Sequence, residues 1–248
     1  MNTFNKILTA ALIAGSGIAI AADSASVTPD ASITDLLRAR LGGAPVGAVR
    51  ETPVKGVYQT TMGAKVAYLS GDGRYVLVGD MIDLQTQRNL TEESRRVVAK
   101  GALENFAQAD LIIYPAEGPT RTALNVFTDT SCPYCKKLHE EVPELQKAGI
   151  EVRYFPFARG GSRGPGYDTL RRVWCGDDRL KTMNIAKGVE DGNLPDADCK
   201  NASIVDKAYE LGNDIGVEGT PALFTSEGQK ISGYVPYQKL IPMLLNGG

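Results

Sequence analysis

The sequence predicts an α+β protein built from two units of unequal size. Residues 54–82 contain short apolar segments separated by Gly71-Asp72-Gly73, which is typical of antiparallel strands joined by a turn. From residue 111 onward strand-like and helix-like segments alternate, and a Cys-x-x-Cys motif follows one of the strands. The chain has 248 residues, of which 43% are apolar, and this is enough for one large or two smaller cores.

Residues 1–22 are typical of a secretory signal peptide. Lys6 and the terminal amine supply positive charge, and Ile7–Ile20 is an apolar stretch followed by small residues. The stretch is shorter than the roughly 20 residues that a membrane-spanning helix needs. We therefore expect cleavage after Ala21 or Ala22, and an uncleaved anchor helix is the alternative.

Residues 23–87 form the smaller predicted unit. Its predicted elements are one amphipathic helix and three strands, at Ser32–Leu41, Val54–Thr61, Lys65–Ser70 and Arg74–Ile82. So few elements bury little apolar surface, and a unit of this size often needs another surface to cover its core. Self-association is one way to supply that surface.

Residues 88–110 predict a helix that connects the two units. Thr91 is placed to cap its N-terminus, and Glu92 and Glu93 follow in the first turn, where the helix dipole favours acidic side chains. The alternative is that this segment is the first helix of the larger unit.

Residues 111–248 predict the larger unit. The expected strands are Leu111–Tyr114, Thr122–Phe127, Ile150–Phe157, Pro221–Thr225 and Gln229–Ser232. The expected helical segments are Pro133–Lys147 with an interruption at Pro143, Tyr167–Gly216 with breaks at Gly176 and Pro195, and Pro236–Leu245. This order of elements is that of a thioredoxin-like domain with a helical insert.

Cys132 and Cys135 lie where a predicted strand passes into a helix. Pro133 suits the first helical position, where a missing N–H is not needed. The unpaired N–H groups and the positive end of the dipole stabilise a thiolate at such a site. Two thiols one turn apart can also close into a disulfide and reopen by exchange. The motif therefore predicts a redox-active dithiol.

The chain has two more cysteines, Cys175 and Cys199. If the first two form the working pair, these two are left to pair with each other, closing a loop that stabilises the fold by roughly 3–4 kcal/mol. A four-thiolate zinc site is the competing interpretation, although zinc sites usually contain two close pairs. An inert Cys132–Cys135 disulfide is a further alternative. Two cysteine pairs behind a bacterial signal peptide indicate the periplasm, where disulfides persist.

Charge and histidine content restrict the function further. The formal net charge is −2 and the basic residues are dispersed, so no basic stripe indicates a nucleic-acid partner. The single histidine, His139, lies one helical turn after Cys135. We expect it to be a solvated residue of the helix surface, and tuning of the thiols is the alternative.

Four stretches carry a resemblance to a known family. They are residues 125–140, Val152-Arg153-Tyr154, Val173-Trp174-Cys175 and Gly219-Thr220-Pro221-Ala222. In these stretches the chain resembles the periplasmic disulfide isomerases of the DsbC/DsbG family, and it is closer to DsbC. The resemblance covers essentially the whole chain after the signal peptide.

The resemblance implies roles for particular residues. Cys132 is expected to be the exposed nucleophile and Cys135 the resolving thiol beneath it, with Pro133 and Tyr134 between them in the active-site loop. Thr220-Pro221 is expected to be the cis-proline loop that faces the dithiol. A structural disulfide between Cys175 and Cys199 is the DsbC pattern. The smaller unit is implied to be a cystatin-like dimerisation domain.

The resemblance also implies an activity and partners. A periplasmic homodimer would rearrange the wrong disulfides of misfolded exported proteins, hold unfolded chains in its cleft, and be kept reduced by a membrane electron donor of the DsbD type. No cofactor, metal or nucleic acid is expected. One departure favours a second interpretation, because Pro133 stands where DsbC-type proteins more often have glycine. Pro133 is found in DsbG-type members, which would reduce the sulfenic acids of single cysteines. A chaperone with incidental redox chemistry is a third interpretation.

Three further side chains lie near the dithiol or the second cysteine pair in the sequence. Val126 occupies the position at which thioredoxins carry a buried acid, so no carboxylate is expected there. Asp129 is nearer the dithiol, and we interpret it as a turn residue, with a direct catalytic role as the alternative. Trp174 is expected to pack against the structural disulfide.

Overall fold

The computed structural model describes residues 35–36, 39–40, 47–62 and 65–246. The predicted signal peptide lies outside these residues. The predicted helix at 32–41 also lies outside them, except that Asp35-Leu36 and Ala39-Arg40 are helical. Within the described ranges, every helix is too short or too polar to cross a bilayer.

The smaller unit contains a four-stranded antiparallel sheet of β1 Arg50–Glu51, β2 Val57–Met62, β3 Lys65–Ser70 and β4 Val76–Leu77, in that order. The strand predicted from Val54 begins at Val57, because the N–H of Val57 donates back to the Val54 carbonyl in a turn. The predicted strand Arg74–Ile82 is divided instead. Its second part, β5 Ile82–Asp83, pairs with β6 Arg88–Asn89.

One edge of this sheet is apolar and exposed. Residues 75–78, which include β4, have exposed fractions of 57%, 48%, 54% and 79% for Tyr75, Val76, Leu77 and Val78. β4 pairs only with β3 among the described strands. An apolar edge strand with free backbone groups is a surface on which another chain can pair. We call Tyr75–Val78 the edge patch.

The helix predicted over 88–110 is α1 Leu90–Asn105, and its N-cap differs from the prediction. Asn89 is the cap, accepting from the N–H of Glu92, whereas Thr91 is fully buried. The Thr91 hydroxyl accepts from the N–H of Met81 at 2.7 Å and is hydrogen-bonded to the Tyr68 hydroxyl. The prediction of Thr91 as cap was wrong because this hydroxyl joins the helix to the sheet below it.

Helix α1 contacts both units. On one side it is joined to β3 through the Thr91–Tyr68 hydrogen bond. On the other, Ala99 and Leu103 belong to a buried cluster that includes Phe127 of the larger unit. The boundaries 23–87, 88–110 and 111–248 therefore remain sequence predictions.

The larger unit is organised around a five-stranded sheet of order β11-β10-β8-β9-β7. Its strands are β7 Ile112–Tyr114, β8 Thr122–Thr128, β9 Ile150–Pro156, β10 Ala222–Thr225 and β11 Lys230–Ser232. β8 and β9 are parallel and the other pairs are antiparallel. Successive residues of β8 enter different clusters: Val126 lies on one face of the sheet and Phe127 on the other. The central strand is thus buried on both faces, which fixes the position of its carboxyl end.

Besides α1, the described part of the larger unit has six helices: α2 Pro133–Glu140, α3 Val142–Lys147, α4 Tyr167–Trp174, α5 Arg179–Lys187, α6 Ile204–Asp214 and α7 Tyr237–Asn246. The predicted interruption near Pro143 is confirmed, since α2 ends at Glu140 and Pro143 lies in the first turn of α3. Helices α4 to α6 form the predicted helical insert, and single-turn helices lie at Gln108–Asp110, Gly161–Arg163 and Lys200–Ser203.

Candidate active site at the Cys132–Cys135 dithiol

The dithiol lies at the carboxyl end of the central strand β8. After Thr128 the chain turns through Asp129, and Cys132 occupies the N-cap position of α2 with extended backbone angles. Pro133 is the first residue of the helix, and the N–H of Lys136 donates to the Cys132 carbonyl at 3.1 Å. The structure therefore brings both sulfurs to a helix N-terminus.

Both sulfurs are covered by protein. The exposed fraction is 3% for Cys132 and 1% for Cys135. The expectation of an exposed nucleophile was wrong, because the Thr220-Pro221 loop lies against it. The peptide bond between Thr220 and Pro221 is cis, and the Cys132 sulfur lies 3.2 Å from the Thr220 carbonyl oxygen, to which it can donate only when it is protonated. The predicted active-site loop and the dithiol are thus in direct contact.

The surroundings of Cys132 favour its thiolate. A hydrogen bond from the Cys135 thiol is the largest cause, and together with Thr220 and the N–H groups of Cys135 and Tyr134 it lowers the pKa of Cys132 to about 5 against the opposing effect of burial. The Thr220 hydroxyl is buried and has no hydrogen-bond partner among the described residues, so it is free to turn toward the Cys132 sulfur. These hydrogen bonds therefore favour the thiolate form of Cys132.

Cys135 has the opposite character. Burial, followed by the hydrogen bond to Cys132, raises the pKa of Cys135 far above its ordinary value. Its sulfur accepts a hydrogen bond from the N–H of Asp129 at 3.5 Å. The pair therefore consists of an ionised outer sulfur and a protonated inner one, which is the arrangement that attack and later resolution require.

Asp129 holds the loop that carries the dithiol. Its fully buried carboxylate accepts from the backbone N–H and side chain of Arg159, each at 3.0 Å, and from the N–H and hydroxyl of Ser131, each at 2.8 Å. Burial opposes its ionisation, but these hydrogen bonds outweigh burial and lower the pKa of Asp129. All these donors are directed at the carboxylate, which holds the turn together. This agrees with the interpretation of Asp129 as a turn residue.

The sequence reasoning missed Lys187. This lysine ends α5, is only 2% exposed, and its ammonium donates to the Thr128 hydroxyl at 2.8 Å and the Asp129 carbonyl at 2.9 Å. Thr128 and Asp129 immediately precede the active-site turn. The sequence offers one weak signal: Gly188 can end a helix, which places the Lys187 cation in the last turn, where the helix dipole favours it, but this does not indicate which groups the ammonium contacts.

His139 is buried rather than solvated, so the favoured sequence interpretation was wrong. Its exposed fraction is 4%, and its ring nitrogens are hydrogen-bonded to the Tyr154 hydroxyl and the Asn184 side chain, each at 3.1 Å. Burial, followed by the charge of Lys187, lowers the pKa of His139 to about 4. The helical insert covers this face of α2, and its position could not be read from the sequence around His139.

Tyr134 forms an aromatic surface beside the dithiol. It is 62% exposed and stacks on Tyr234 with ring centroids 6.0 Å apart. The Lys137 ammonium lies 4.9 Å from the centroid of the Tyr234 ring. Two stacked aromatic rings and a lysine ammonium thus form a surface beside the dithiol on which a polypeptide can bind.

Cys175 and Cys199 are joined by a disulfide. This is the pairing that the family resemblance implies. Only Cys132 and Cys135 remain as free thiols among the four cysteines, so the four-thiolate zinc alternative is wrong. In the part of the chain that the structure describes, no group of three or more His, Cys, Asp or Glu residues is arranged to hold a metal ion. Trp174 is fully buried in the main core and donates to the Asp110 carbonyl at 2.8 Å. Its predicted packing against the disulfide remains a prediction.

Comparisons with known proteins show which families this chain resembles. Residues 107–248 match the thioredoxin-like domain family, and residues 21–92 match the disulfide bond isomerase protein N-terminal domain. The thiol:disulfide interchange protein DsbC of Haemophilus influenzae is 32% identical over 79% of this chain and 82% of its own length. The DsbC of Pasteurella multocida is 31% identical over 96% of this chain and 98% of its own. A disulfide interchange protein from Neisseria gonorrhoeae, known from its crystal structure, is 24% identical over 56% of this chain and 99% of its own, with a TM-score of 0.46.

A thioredoxin-like domain that carries a reactive dithiol against a cis-proline loop defines a thiol:disulfide oxidoreductase. The matches also include the N-terminal domain and cover most of the chain, so they identify one family within the thiol:disulfide oxidoreductases. The chain belongs to the DsbC family of thiol:disulfide interchange proteins.

Proposed function

We propose that this protein is a periplasmic disulfide isomerase and reductase in which Cys132 is the nucleophile and Cys135 the resolving thiol. The observation that carries the proposal is the position of two free sulfurs at a helix N-terminus against a cis-proline loop, where the surroundings lower the pKa of Cys132 to about 5 and raise that of Cys135. Localisation in the periplasm rests on the predicted signal peptide and on the DsbC relatives.

The proposed reaction begins when the Cys132 thiolate attacks a wrong disulfide in a misfolded exported protein. One client sulfur leaves as a thiolate, and the other becomes joined to Cys132 in a mixed disulfide. A second client thiolate can then displace Cys132, which completes isomerisation with no net change in oxidation state. Alternatively Cys135 attacks Cys132, which releases the reduced client and leaves the protein oxidised. A membrane electron donor of the DsbD type would restore the dithiol.

The proposed active form is a homodimer joined at the N-terminal domains. The edge patch supports this, since it combines exposed apolar side chains with a strand edge that no other described strand pairs with. Two dithiols facing one cleft would hold a client between them. The aromatic pair Tyr134 and Tyr234 would line that cleft beside each dithiol.

A DsbG-like reductase of sulfenic acids is the second candidate, and Pro133 is the observation that favours it. Proline at the first helical position stiffens the turn between the two sulfurs. The Cys175–Cys199 disulfide, which DsbG-type members typically lack, opposes this candidate.

Reactivation of an enzyme with scrambled disulfides tests the proposal. Pre-reduced protein should restore the activity of the scrambled enzyme, and Cys132→Ser should abolish this. Cys135→Ser should retain some reactivation and accumulate mixed disulfides with the client, because it keeps the nucleophile but cannot resolve. If wild-type protein fails here yet reduces a sulfenylated single-cysteine protein, the DsbG-like candidate replaces the isomerase. If neither activity is found, but wild type and Cys132→Ser suppress the aggregation of a cysteine-free unfolded protein equally well, a chaperone is indicated instead.

A further inference from the structure

Lys187 is a buried cation whose hydrogen-bond partners are both uncharged. Its ammonium donates to the Thr128 hydroxyl and the Asp129 carbonyl, and it is 2% exposed. The neighbouring Asp129 carboxylate is ion-paired with Arg159 instead. No carboxylate lies within ion-pair distance of Lys187 among the described residues. A buried charge without a counter-ion is costly, and a buried ionisable group beside a reactive site is a candidate for a functional role.

The charges that can develop near Lys187 are those of the dithiol. The same Asp129 peptide group that accepts from Lys187 through its carbonyl also donates its N–H to the Cys135 sulfur. Burial lowers the pKa of Lys187 to about 8, and the charges of Cys135, Asp129 and Cys132, in that order, oppose this lowering. In return, the charge of Lys187 lowers the pKa of Cys135 against the larger effect of burial.

The other ionisable groups around Lys187 do not supply this counter-charge. On α2, His139 is neutral, since its pKa is lowered to about 4, and the Lys136 side chain, which points toward Gly188 just beyond Lys187, is itself a cation. In the loop after β8, the negative charge of Asp129 is held by Arg159. When Cys132 is joined to a client, Cys135 is the one sulfur of the dithiol that can still ionise.

We infer that Lys187 is a positioning residue for the resolving step. Its ammonium holds the Thr128–Asp129 segment against Cys135 and stabilises the Cys135 thiolate while Cys132 is occupied by a mixed disulfide. This inference rests on the proposed roles of the two cysteines.

The resolving step transfers a disulfide bond from the client to the protein. The Cys135 thiol loses its proton to solvent, and its thiolate attacks the Cys132 sulfur. The bond between Cys132 and the client sulfur breaks, and the client leaves with the electron pair and takes up a proton. The dithiol becomes a disulfide, and the client sulfur is reduced. Lys187 keeps its proton throughout.

Lys187 would then change the ratio of the two reactions that consume the mixed disulfide, which are attack by Cys135 and displacement by a client thiol. A stabilised Cys135 thiolate shortens the life of the mixed disulfide and favours reduction of the client. Without the Lys187 charge, a client thiol has more time to displace Cys132, so isomerisation gains over reduction. Lys187 would thereby set the balance between the two activities of one site.

The test uses oxidised glutathione as the probe. Reduced full-length protein is mixed with it, the reaction is stopped with acid, and mass spectrometry follows first the glutathione adduct on Cys132 and then its resolution. Lys187→Met and Lys187→Gln should slow resolution about tenfold at neutral pH and move its pH profile upward, because loss of one nearby charge raises a thiol pKa by about one unit. Adduct formation should change much less. Lys187→Arg should restore most of the resolution rate.

Lys181→Met is the matched control, since it makes the same substitution at an exposed lysine of the same helix. It should resolve the adduct at the wild-type rate. The inference is overturned if Lys187→Met and Lys187→Gln also resolve at that rate at every pH, or if Lys187→Arg is as slow as Lys187→Met. The assay needs no client protein, so its failure is distinguishable from failure of the isomerase proposal.

A measurement on the wild-type protein decides the matter even if the variants do not fold. Carbon NMR of protein labelled at lysine Cε gives the pKa of Lys187 in the reduced and disulfide forms. We expect this pKa to fall on oxidation, because the ionisable sulfurs are then lost. An unchanged pKa would contradict the inference.

Discussion

At the scale of single residues, the site depends on side chains whose ionisation is set by burial and by a few hydrogen bonds. Cys132 and Cys135 are chemically identical and three positions apart, yet the pKa of the first is lowered and that of the second is raised. The difference arises because N–H groups, the Cys135 thiol and Thr220 are directed at Cys132, whereas Cys135 lies deeper. Identical groups thus acquire different tasks from their surroundings.

His139 provides a prediction at this scale. Its pKa is about 4 in the folded protein and 6.5 ordinarily, so the unfolded chain binds the proton more readily. The stabilisation from neutral His139 is therefore fully present above pH 6.5 and is lost as pH falls through 4. We expect the free energy of unfolding to decrease by about 3 kcal/mol from this group over that interval.

Denaturant unfolding of wild-type protein and His139→Gln at several pH values measures this contribution. His139 is the only histidine of the chain, so the difference between the two pH profiles isolates it. Parallel profiles between pH 4 and 6.5 would show that His139 does not titrate as the structure indicates.

At the scale of elements, the helical insert does more than lengthen the domain. Helix α5 supplies both Asn184, which binds His139, and Lys187, which binds the loop before the dithiol. Helix α4 ends at Trp174, and Cys175 directly after it is joined to Cys199. The disulfide therefore ties together the ends of the segment that carries α5, and through α5 it restrains the active site.

Removal of this disulfide is the prediction at the scale of elements. The double variant Cys175→Ala, Cys199→Ala removes the cross-link between two cysteines that are 24 positions apart, and this raises the conformational entropy of the unfolded chain. We expect its free energy of unfolding to be lower by about 3–4 kcal/mol, measured with urea under non-reducing conditions. Adding reductant should destabilise the wild type but not the double variant. A loss below about 1 kcal/mol would mean that the insert is held by packing alone.

At the scale of the whole molecule, the smaller unit presents its apolar edge patch away from its own core. The four exposed side chains of Tyr75–Val78 lie on and beside an edge strand of two residues. Strand edges of this kind are usually shielded by charge or by a partner. Dimer formation through the edge patch would bury these side chains and cover the thin core.

Val76→Asp tests the dimer. A charge at the edge patch should convert the dimer to a monomer in light scattering, because burial of an unpaired carboxylate opposes association. Val189→Asp is the matched control, since Val189 is 46% exposed and Val76 48%, and Val189 lies in the helical insert. Isomerase activity should fall with Val76→Asp, while reduction of glutathione disulfide should persist. A Val76→Asp protein that remains dimeric would place the interface elsewhere.

Local sequence patterns were sufficient to predict the order of the elements in the larger unit, the dithiol at a helix N-terminus and the family. Strand β3 was predicted at its observed bounds, and Pro143 divides α2 from α3 as expected, because local patterns and proline geometry act over a few residues. The motif around Cys132 is equally local.

The side chains that surround this motif could be identified only in the folded chain. Thr91 was expected to cap a helix and His139 to be solvated, but both are buried by segments distant in the sequence. Lys187 lies 52 positions after Cys135 (187 minus 135), and no local pattern indicates that its ammonium reaches Thr128 and Asp129. Burial and charge pairing depend on how elements pack, so the residues that tune the dithiol emerged only from the folded chain.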